Sequence, residues 1–293
     1  MKTPLRLLAL LLTATALFAQ ENPPDENAPA KKVATPTSLP GAETFIYRDG
    51  TPEPMRLFVF KPKDWKATDH RPALIHYFGG GFTHGLPTQA AGWAKKAAAL
   101  GMVGVAADYR VKERFPTDAT ACVADARASF HYLQVHAAEL GIDPAKIVAS
   151  GSSAGGHLAL WTAITHTPPG CDPDEAPLQK PVALILMSPA CDSSTATGQR
   201  ANRFGKNPDA YSPQQNLDPK MPPVLLFHGD ADTVVPYRYA VALDKTLRDT
   251  GNSCELVTMP GGGHGFTLTE WKTKAPDLIK DFLEKKGLVP VKP

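Results

Sequence analysis

The sequence has little net charge, and that shortage excludes some binding partners. It carries 31 basic and 29 acidic residues, a formal net charge of +2. Two of the basic residues, Lys2 and Arg6, lie in the first 19 residues, and without them the balance is 29 against 29. A chain without excess positive charge does not attract phosphates or an anionic bilayer over long range. We therefore expect neither nucleic acid nor a membrane surface as a partner.

The N-terminal apolar run is too short for a membrane anchor. A spanning helix needs roughly 20 apolar residues, whereas the run here is centred on residues 7–12. Basic residues precede it and small residues follow it, which is typical of a secretory signal peptide. We expect residues 1–19 to be such a signal and the protein to be secreted or periplasmic, with no stable membrane anchor. Residues 20–43, rich in Pro, Ala, Asn and Glu, are expected to form a flexible tether.

Cysteine is scarce, and the few cysteines leave two interpretations open. The four are Cys122, Cys171, Cys191 and Cys254. An oxidising compartment permits disulfides, and Cys171 and Cys191 flank one predicted strand, so these two could pair. Buried free thiols are the alternative. The spacing matches no metal pattern, and we expect neither a metal nor an organic cofactor.

The rest of the chain, residues 44–293, alternates between apolar runs and helical patterns. Strands are predicted at 56–62, 73–78, 102–109, 146–150, 182–189, 223–229 and 254–260. Helices are predicted at 92–101, 117–140, 156–166, 239–251 and 276–287. Continuous apolar strands separated by helices indicate one α/β domain, with a mostly parallel sheet covered on both faces. Two proline-rich stretches, 167–181 and 192–222, are expected to be loops or a small lid.

The stretch "VASGSSAGGHLALW" at 148–161 contains three serines, and the glycines around them single out one. Gly151 and Gly155 stand two residues before and after Ser153, which fits the pattern G-x-S-x-G. Neither neighbouring serine has glycine at both distances. A nucleophile raised on a sharp strand-to-helix turn needs small residues there, because larger side chains would collide. Ser153 is therefore the candidate nucleophile, and a glycine-rich turn without chemistry is the alternative.

A serine needs a base and the base needs a carboxylate, and both are available downstream. His264 stands in "MPGGGHGF" after the last predicted strand, and Asp230 and Asp232 follow the strand before it. The chain order serine, aspartate, histidine is that expected of α/β-hydrolases. Spacing alone does not separate the two aspartates, and the other one would be a turn former. A surface role is the alternative for the histidine.

An oxyanion needs backbone N–H donors, and a glycine-rich loop provides them. The stretch "HYFGGGF" at 76–82 follows an early predicted strand, and its glycines allow close approach of the backbone to a tetrahedral centre. Ala154, directly after the candidate nucleophile, can give a further N–H. A flexible turn is the alternative interpretation of the glycine run.

With these motifs in order, residues 44–287 resemble the α/β-hydrolase superfamily. More narrowly, they resemble secreted carboxylesterases that include bifunctional feruloyl and acetyl-xylan esterases, related to the hormone-sensitive-lipase-like group. The motifs that carry the resemblance are "FGGGF", "SGSSAGGHLAL", "HGDADTVVP" and "GGGHGF". The sequence departs from the family at Phe78, where the glycine loop usually starts with histidine. That departure concerns the support of the loop and the substrate preference.

The resemblance implies a role for each matching position. It assigns the nucleophile to Ser153, the acid to Asp232 and the base to His264, and the oxyanion donors to the N–H groups of Gly80, Gly81 and Ala154. It implies a serine esterase that releases short acyl or feruloyl groups from an ester substrate such as an acylated plant polysaccharide. The rival hypotheses are a peptidase related to the prolyl oligopeptidases and a non-catalytic binding protein of the same fold.

Overall fold

The computed structural model describes residues 34–50, 52–265 and 268–290. The expected signal peptide, residues 1–19, and the tether up to residue 33 lie outside the described residues. The strands are β1 Glu43–Arg48, β2 Met55–Phe60, β3 Arg71–Tyr77, β4 Val103–Ala107, β5 Ile142–Ser152, β6 Ala183–Met187, β7 Val224–Gly229 and β8 Cys254–Met259. The helices are α1 Ala91–Ala99, α2 Ala119–Val135, α3 Ala137–Leu140, α4 Ala154–Trp161, α5 Pro213–Asn216, α6 Arg238–Asp249 and α7 Thr269–Lys285.

The eight strands form one sheet in the order β1-β2-β4-β3-β5-β6-β7-β8. Strands β1 and β2 pair antiparallel at one edge, and all pairs from β4 to β8 are parallel. The prediction of a mostly parallel α/β sheet is therefore confirmed. The order reverses at β3, since β4 lies on one side of it and β5 on the other. In open parallel sheets, such a reversal opens a crevice at the carboxyl ends of the strands.

Helices cover both faces of the sheet. Successive side chains of each buried strand point to opposite faces, so each strand packs against helices on both sides. On β5, Val148 belongs to one apolar cluster with Leu283 of α7, and Ala149 belongs to the other with Leu133 of α2. Helix α4 is buried along its whole length. Both faces of the parallel strands are thus apolar, which explains the near-continuous apolar runs in the sequence.

Three parts of the secondary structure depart most from the sequence predictions. Helix α7 begins at Thr269, so Pro276 lies inside it, although we predicted a start at the proline. The helix predicted over 117–140 is two helices that meet at His136. Strand β1 was not predicted, because it is an edge strand of which only Tyr47 is fully buried. Leu39, in the segment interpreted as tether, is also buried against the core.

The four cysteines are free thiols in the structure. Cys122, Cys191 and Cys254 are buried, and Cys171 is partly exposed. Burial raises the pKa of the Cys191 thiol to about 12 and that of Cys171 to about 11. The sequence left a disulfide between Cys171 and Cys191 and free thiols as alternatives, and the structure shows free thiols. In the part of the chain described, no helix combines the length and apolar composition needed to cross a bilayer.

The turn after β5 depends on Gly151, and its substitution gives a clear test of the fold. A Cβ at this position would collide with the carbonyl oxygen of Gly155, and that backbone is fixed at the start of α4. We expect Gly151→Ala to lower the free energy of unfolding by about 3 kcal/mol or more, because overpacking there forces the backbone to shift. Denaturant titration with circular dichroism measures the change.

The matched control is Gly92→Ala in α1. Gly92 is exposed, and a Cβ there would have open space around it. We expect this variant to raise the free energy of unfolding by at most about 0.5–1 kcal/mol, since alanine stabilises a helix more than glycine does and Gly92 lies in the first turn of α1. Equal stability of Gly151→Ala and the parent protein would contradict the crowding argument for the motif.

Candidate active site

Ser153 stands alone between strand β5 and helix α4, at the apex of a strained turn. Its φ of 55° and ψ of −117° lie where non-glycine residues are uncommon. Its N–H donates to the carbonyl of Met187 at 2.8 Å, and its carbonyl accepts from the N–H of Ala190 at 3.0 Å. These bonds to the segment at the end of β6 hold the strained conformation, which costs on the order of 1–3 kcal/mol. The Ser153 side chain thus lies at the carboxyl end of the sheet, where the strand order reverses.

The other two serines of the motif have structural partners. The hydroxyl of Ser150 donates to the carbonyl of Ile75 at 3.0 Å and lies 2.9 Å from Nδ1 of His76. Ser152 Oγ lies 3.4 Å from Nε2 of the same imidazole. Burial lowers the pKa of His76 to about 3, so this histidine is neutral at ordinary pH. Ser153 is the one serine of the three that the turn presents at its apex.

His264 and Asp232 are hydrogen-bonded to each other, and the aspartate is fixed by three donors. Nδ1–H of His264 donates to Oδ2 of Asp232 at 2.8 Å. Oδ1 of Asp232 accepts from the N–H groups of Val234 at 2.8 Å and Val235 at 2.9 Å. The aspartate side chain is fully buried, whereas that of the histidine is 24% exposed. This bond holds the imidazole with its free Nε2 available to take a proton.

The structure separates the two aspartates that spacing alone left equivalent. Asp230 is exposed, and its Oδ1 accepts from the N–H of Gly261 at 2.7 Å. Asp232 faces two histidines instead, because Nε2 of His228 lies 3.3 Å from its Oδ2. Nε2 of His228 also donates to the carbonyl of Val235 at 2.7 Å, and burial lowers the pKa of this histidine. His228 is therefore a neutral imidazole that lies against the Asp232 carboxylate and helps to hold it in place.

Close backbone packing brings the loop of His264 onto the end of β7. A Cβ on Gly229, the last residue of β7, would collide with the carbonyl of Gly262, so the two loops touch main chain to main chain. The same carbonyl accepts from the N–H of Ala231 at 3.0 Å. On the other side, the N–H of Gly265 donates to Ser188 Oγ at 3.2 Å. Gly229 of the "HGDADTVVP" motif and Gly262 of the "GGGHGF" motif are thus explained by one close approach.

The candidate oxyanion donors are three backbone N–H groups near Ser153. None of the N–H groups of Gly80, Gly81 and Ala154 has a hydrogen-bond acceptor among the described residues. Gly80 has a φ of 139° and Gly81 a φ of 58°, and both line the same cavity as Ser153 and His264. Unpaired backbone donors beside a nucleophile can stabilise a developing oxyanion.

Tyr109 supports the start of the glycine loop at Phe78, the position at which the sequence departs from the expected motif. Its hydroxyl donates to the carbonyl of Phe78 at 2.7 Å, and the two rings stack with centroids 4.0 Å apart. Both side chains are buried. Sequence reasoning missed Tyr109, although it flagged the unusual Phe78. The stacked rings of Phe78 and Tyr109, together with the Tyr109 hydrogen bond, support the glycine loop without a histidine at position 78.

The hydroxyl of Tyr109 can be removed without removing the ring. We expect Tyr109→Phe to lower the free energy of unfolding by about 1–3 kcal/mol, because the buried carbonyl of Phe78 loses its donor. We also expect a several-fold lower kcat with little change in KM, because the loop that carries Gly80 and Gly81 loses support. Steady-state kinetics and denaturant titration measure both.

Tyr47→Phe is the matched control for that variant. Tyr47 is a buried tyrosine too, and its hydroxyl donates to the backbone carbonyl of Asp108 at 2.8 Å and not to the glycine loop. We expect a comparable loss of stability with an unchanged kcat. A similar drop in kcat for both variants would mean that Tyr109 acts through stability alone.

One cavity of about 410 Å³ brings these parts together. Its polar lining includes Ser153, His264, the glycine loop and two arginines, Arg200 and Arg203, of the segment 192–222. Its apolar lining is small: Phe78, Met187 and Val234. Within the described residues, no group of three or more His, Cys, Asp or Glu side chains is arranged to hold a metal ion.

This arrangement supports one kind of chemistry. A serine hydroxyl beside a histidine–aspartate pair can attack a carbonyl carbon, and unpaired N–H groups can hold the resulting oxyanion. The candidate nucleophile lies at a strand-to-helix turn of a mostly parallel sheet, with the candidate acid and base on the loops after β7 and β8. Fold and site together define the α/β-hydrolase class.

Comparison with known proteins gives the family. The family described as BD-FAE matches residues 57–183, and the family described as TAP-like protein matches residues 188–292. Esterase 2 of Thermogutta terrifontis is 36% identical, with a TM-score of 0.81, over 89% of this chain and 100% of its own. The chain therefore belongs to the α/β-hydrolase carboxylesterases.

Curated relatives are more distant and longer. Esterase LipC of Mycobacterium tuberculosis is 27% identical in an alignment 242 residues long that covers 75% of this chain and 59% of LipC. The acetylxylan esterase of Xylanibacter ruminicola is 26% identical in an alignment 217 residues long that covers 71% of this chain and 44% of that protein. This chain thus spans less than two thirds of the length of either relative.

Proposed function

We propose that the protein is a secreted serine esterase that hydrolyses short acyl or feruloyl esters, with acylated plant polysaccharide as its substrate class. The observation that carries the esterase assignment is the Asp232–His264 hydrogen bond in the cavity that also holds Ser153. No feature of this site requires a cofactor for ester hydrolysis.

The proposed mechanism has two steps. Ser153 Oγ attacks the ester carbonyl carbon while Nε2 of His264 takes its proton, and the N–H groups of Gly80, Gly81 and Ala154 hold the oxyanion. His264 returns the proton to the leaving alcohol as the C–O bond breaks. Water, deprotonated by the same histidine, then hydrolyses the acyl-enzyme.

The lining of the cavity supports a short acyl group and a hydroxylated alcohol portion. Three apolar side chains, Phe78, Met187 and Val234, give little surface for a long acyl chain. His84 and Gln89 are exposed on its lining and can bind hydroxyl groups. The Thermogutta terrifontis esterase has been solved with propionate and with butyrate bound. The acetylxylan esterase relative and the BD-FAE match support a polysaccharide ester.

A substrate panel tests this assignment. We expect kcat/KM to fall by about tenfold or more from p-nitrophenyl butyrate to p-nitrophenyl laurate, because the long chain finds no apolar surface. Acetylated xylan and methyl ferulate test the natural ester, and a peptide amide tests the peptidase alternative. Fastest turnover of the long-chain ester, or preferred cleavage of the amide, would contradict the proposal.

Secretion is tested separately from catalysis. The support for it is the N-terminal segment with Lys2 and Arg6 before an apolar run. Expression of the full chain in a bacterial host, followed by N-terminal sequencing of the exported protein, should show removal of about the first 19 residues. Retention of the intact N-terminus in the cytoplasm would overturn the assignment of a signal peptide.

A further inference from the structure

Two arginines face the active-site cavity from the segment 192–222. Arg203 ends the short 3-10 turn Ala201–Arg203, and Arg200 precedes that turn with a φ of 60°. A Cβ placed on Gly81 would lie 2.5 Å from Nη1 of Arg203 and 4.0 Å from Nε of Arg200. Both guanidinium groups therefore lie over the glycine loop, next to the proposed oxyanion donors.

No acidic side chain balances this pair. Among the described residues, neither Arg200 nor Arg203 has a carboxylate within 4.0 Å, and none of the residues that line the cavity is Asp or Glu. Of the other buried or partly buried arginines, Arg114 pairs with Asp108 and Arg110 pairs with Asp125. Arg127 has no carboxylate partner among the described residues, but its Nη1 donates to the carbonyls of Trp161 and Ile164. The cavity thus differs from these sites in that two cations lie next to each other without an anion among its lining residues.

The hydrogen-bonding capacity of the pair is also largely unused. Nη1 of Arg200 is buried and has no hydrogen-bond partner among the described residues, and Arg203 donates from Nη1 to the carbonyl of Gly81. Burial, together with the charge of Arg200, lowers the pKa of Arg203. Two adjacent, partly desolvated cations are unfavourable until an anion joins them.

We propose that Arg200 and Arg203 bind a carboxylate carried by the ester substrate, and so select acidic esters. This inference rests on the proposed esterase function and deepens it. A planar carboxylate fits the guanidinium fork with two parallel hydrogen bonds, and the pair is desolvated in the cavity. On a polysaccharide substrate, the carboxylate would belong to a uronate beside the acylated sugar. It takes no part in bond making or breaking.

A purely catalytic role for the arginines makes a different prediction. If the two charges only stabilised the oxyanion or supported the glycine loop, their removal would slow acidic and neutral esters equally. The measured quantity is therefore the ratio of kcat/KM for an acidic ester to that for a matched neutral ester.

Two matched pairs place the carboxylate on either side of the ester. Para-acetoxybenzoate and para-acetoxybenzamide carry or lack it on the alcohol, whereas mono-p-nitrophenyl succinate and p-nitrophenyl butyrate carry or lack it on the acyl group. We expect wild type to prefer the acidic member of at least one pair. In that pair, Arg200→Gln and Arg203→Gln should lower the ratio by about 10- to 100-fold, and Arg200→Lys should restore part of it.

Lys206→Gln is the matched control. Lys206 is an exposed cation of the same segment that does not line the cavity, so this variant should keep the wild-type ratio. A second measurement uses wild type alone: succinate should inhibit p-nitrophenyl acetate hydrolysis competitively, and succinamide should not. Succinate inhibition no stronger than that by succinamide, or a ratio unchanged in both Gln variants, overturns the inference and leaves the esterase intact. No hydrolysis of any of these esters by wild type overturns the proposed function itself.

Discussion

Replacing Ser153 by alanine should lower kcat for p-nitrophenyl acetate by about 10⁵-fold or more. The variant loses the only hydroxyl that the turn between β5 and α4 presents at its apex, and with it the acyl-enzyme. The strained φ of 55° remains, so the fold should be kept and the stability nearly unchanged. Initial rates and the burst of p-nitrophenol in the first turnover measure the loss, because the burst counts acylated serines.

Ser152→Ala is the matched control for this variant. Ser152 is the adjacent residue, lines the same cavity, and lies 3.4 Å from His76 instead of at the apex. We expect it to keep activity within about one order of magnitude and to keep the burst. Full activity of Ser153→Ala, or loss of the burst in Ser152→Ala alone, would move the nucleophile by one residue and overturn the interpretation of the motif.

Replacing Asp232 by asparagine should lower kcat by about 10⁴-fold. The asparagine has nearly the same shape, but its amide can donate a hydrogen bond to His264 and so stabilise the wrong tautomer of the imidazole. The charge that stabilises the protonated histidine is also lost. Measurement of kcat for a fast ester across the pH range separates this loss from a change in substrate binding.

Asp230→Asn tests the choice between the two aspartates of "HGDADTVVP". Its carboxylate is exposed and accepts one N–H, from Gly261, which an asparagine oxygen can also accept. We expect an unchanged kcat for this variant. Greater loss from Asp230→Asn than from Asp232→Asn would show that the 2.8 Å bond to His264 is not the one that matters for catalysis.

The parallel core of the fold could be predicted from the sequence because burial on two faces leaves a direct trace. Strands β3, β6 and β7 are continuous apolar runs, so their positions follow from composition alone. Strand β1 left no such trace, because its pattern is that of an exposed edge. The start of α7 was missed for a different reason: a proline usually marks a first turn, and here Pro276 is tolerated in the interior of a helix.

The active site likewise contains some residues that a local motif identifies and others that only the fold brings to the site. Of the glycines that flank Ser153, Gly151 is required by a contact within the five-residue turn, whereas Gly155 is required by the carbonyl groups of Tyr77 and Phe78 at the end of β3. The spacing of the two glycines around the serine still let the sequence alone identify the turn. The choice between Asp230 and Asp232 needed the family resemblance, since it depends on a loop 30 residues away. Tyr109 and the two arginines over Gly81 reach the site from distant segments with no motif of their own. Only the folded structure shows that these three residues lie beside the active site.

The active-site residues are far apart in the sequence and come together only in the folded protein. The activity of this protein is therefore a measure of the fraction of molecules that are folded. The cavity is built from segments that follow β3, β5, β6, β7 and β8, with members as far apart as Gly80 and His264. No short segment can hold these groups in place, so loss of any of these strand pairings disperses them. We therefore expect loss of activity to coincide with loss of helical signal during denaturation. A simple ester assay would then report cooperative unfolding of the sheet at concentrations too low for spectroscopy.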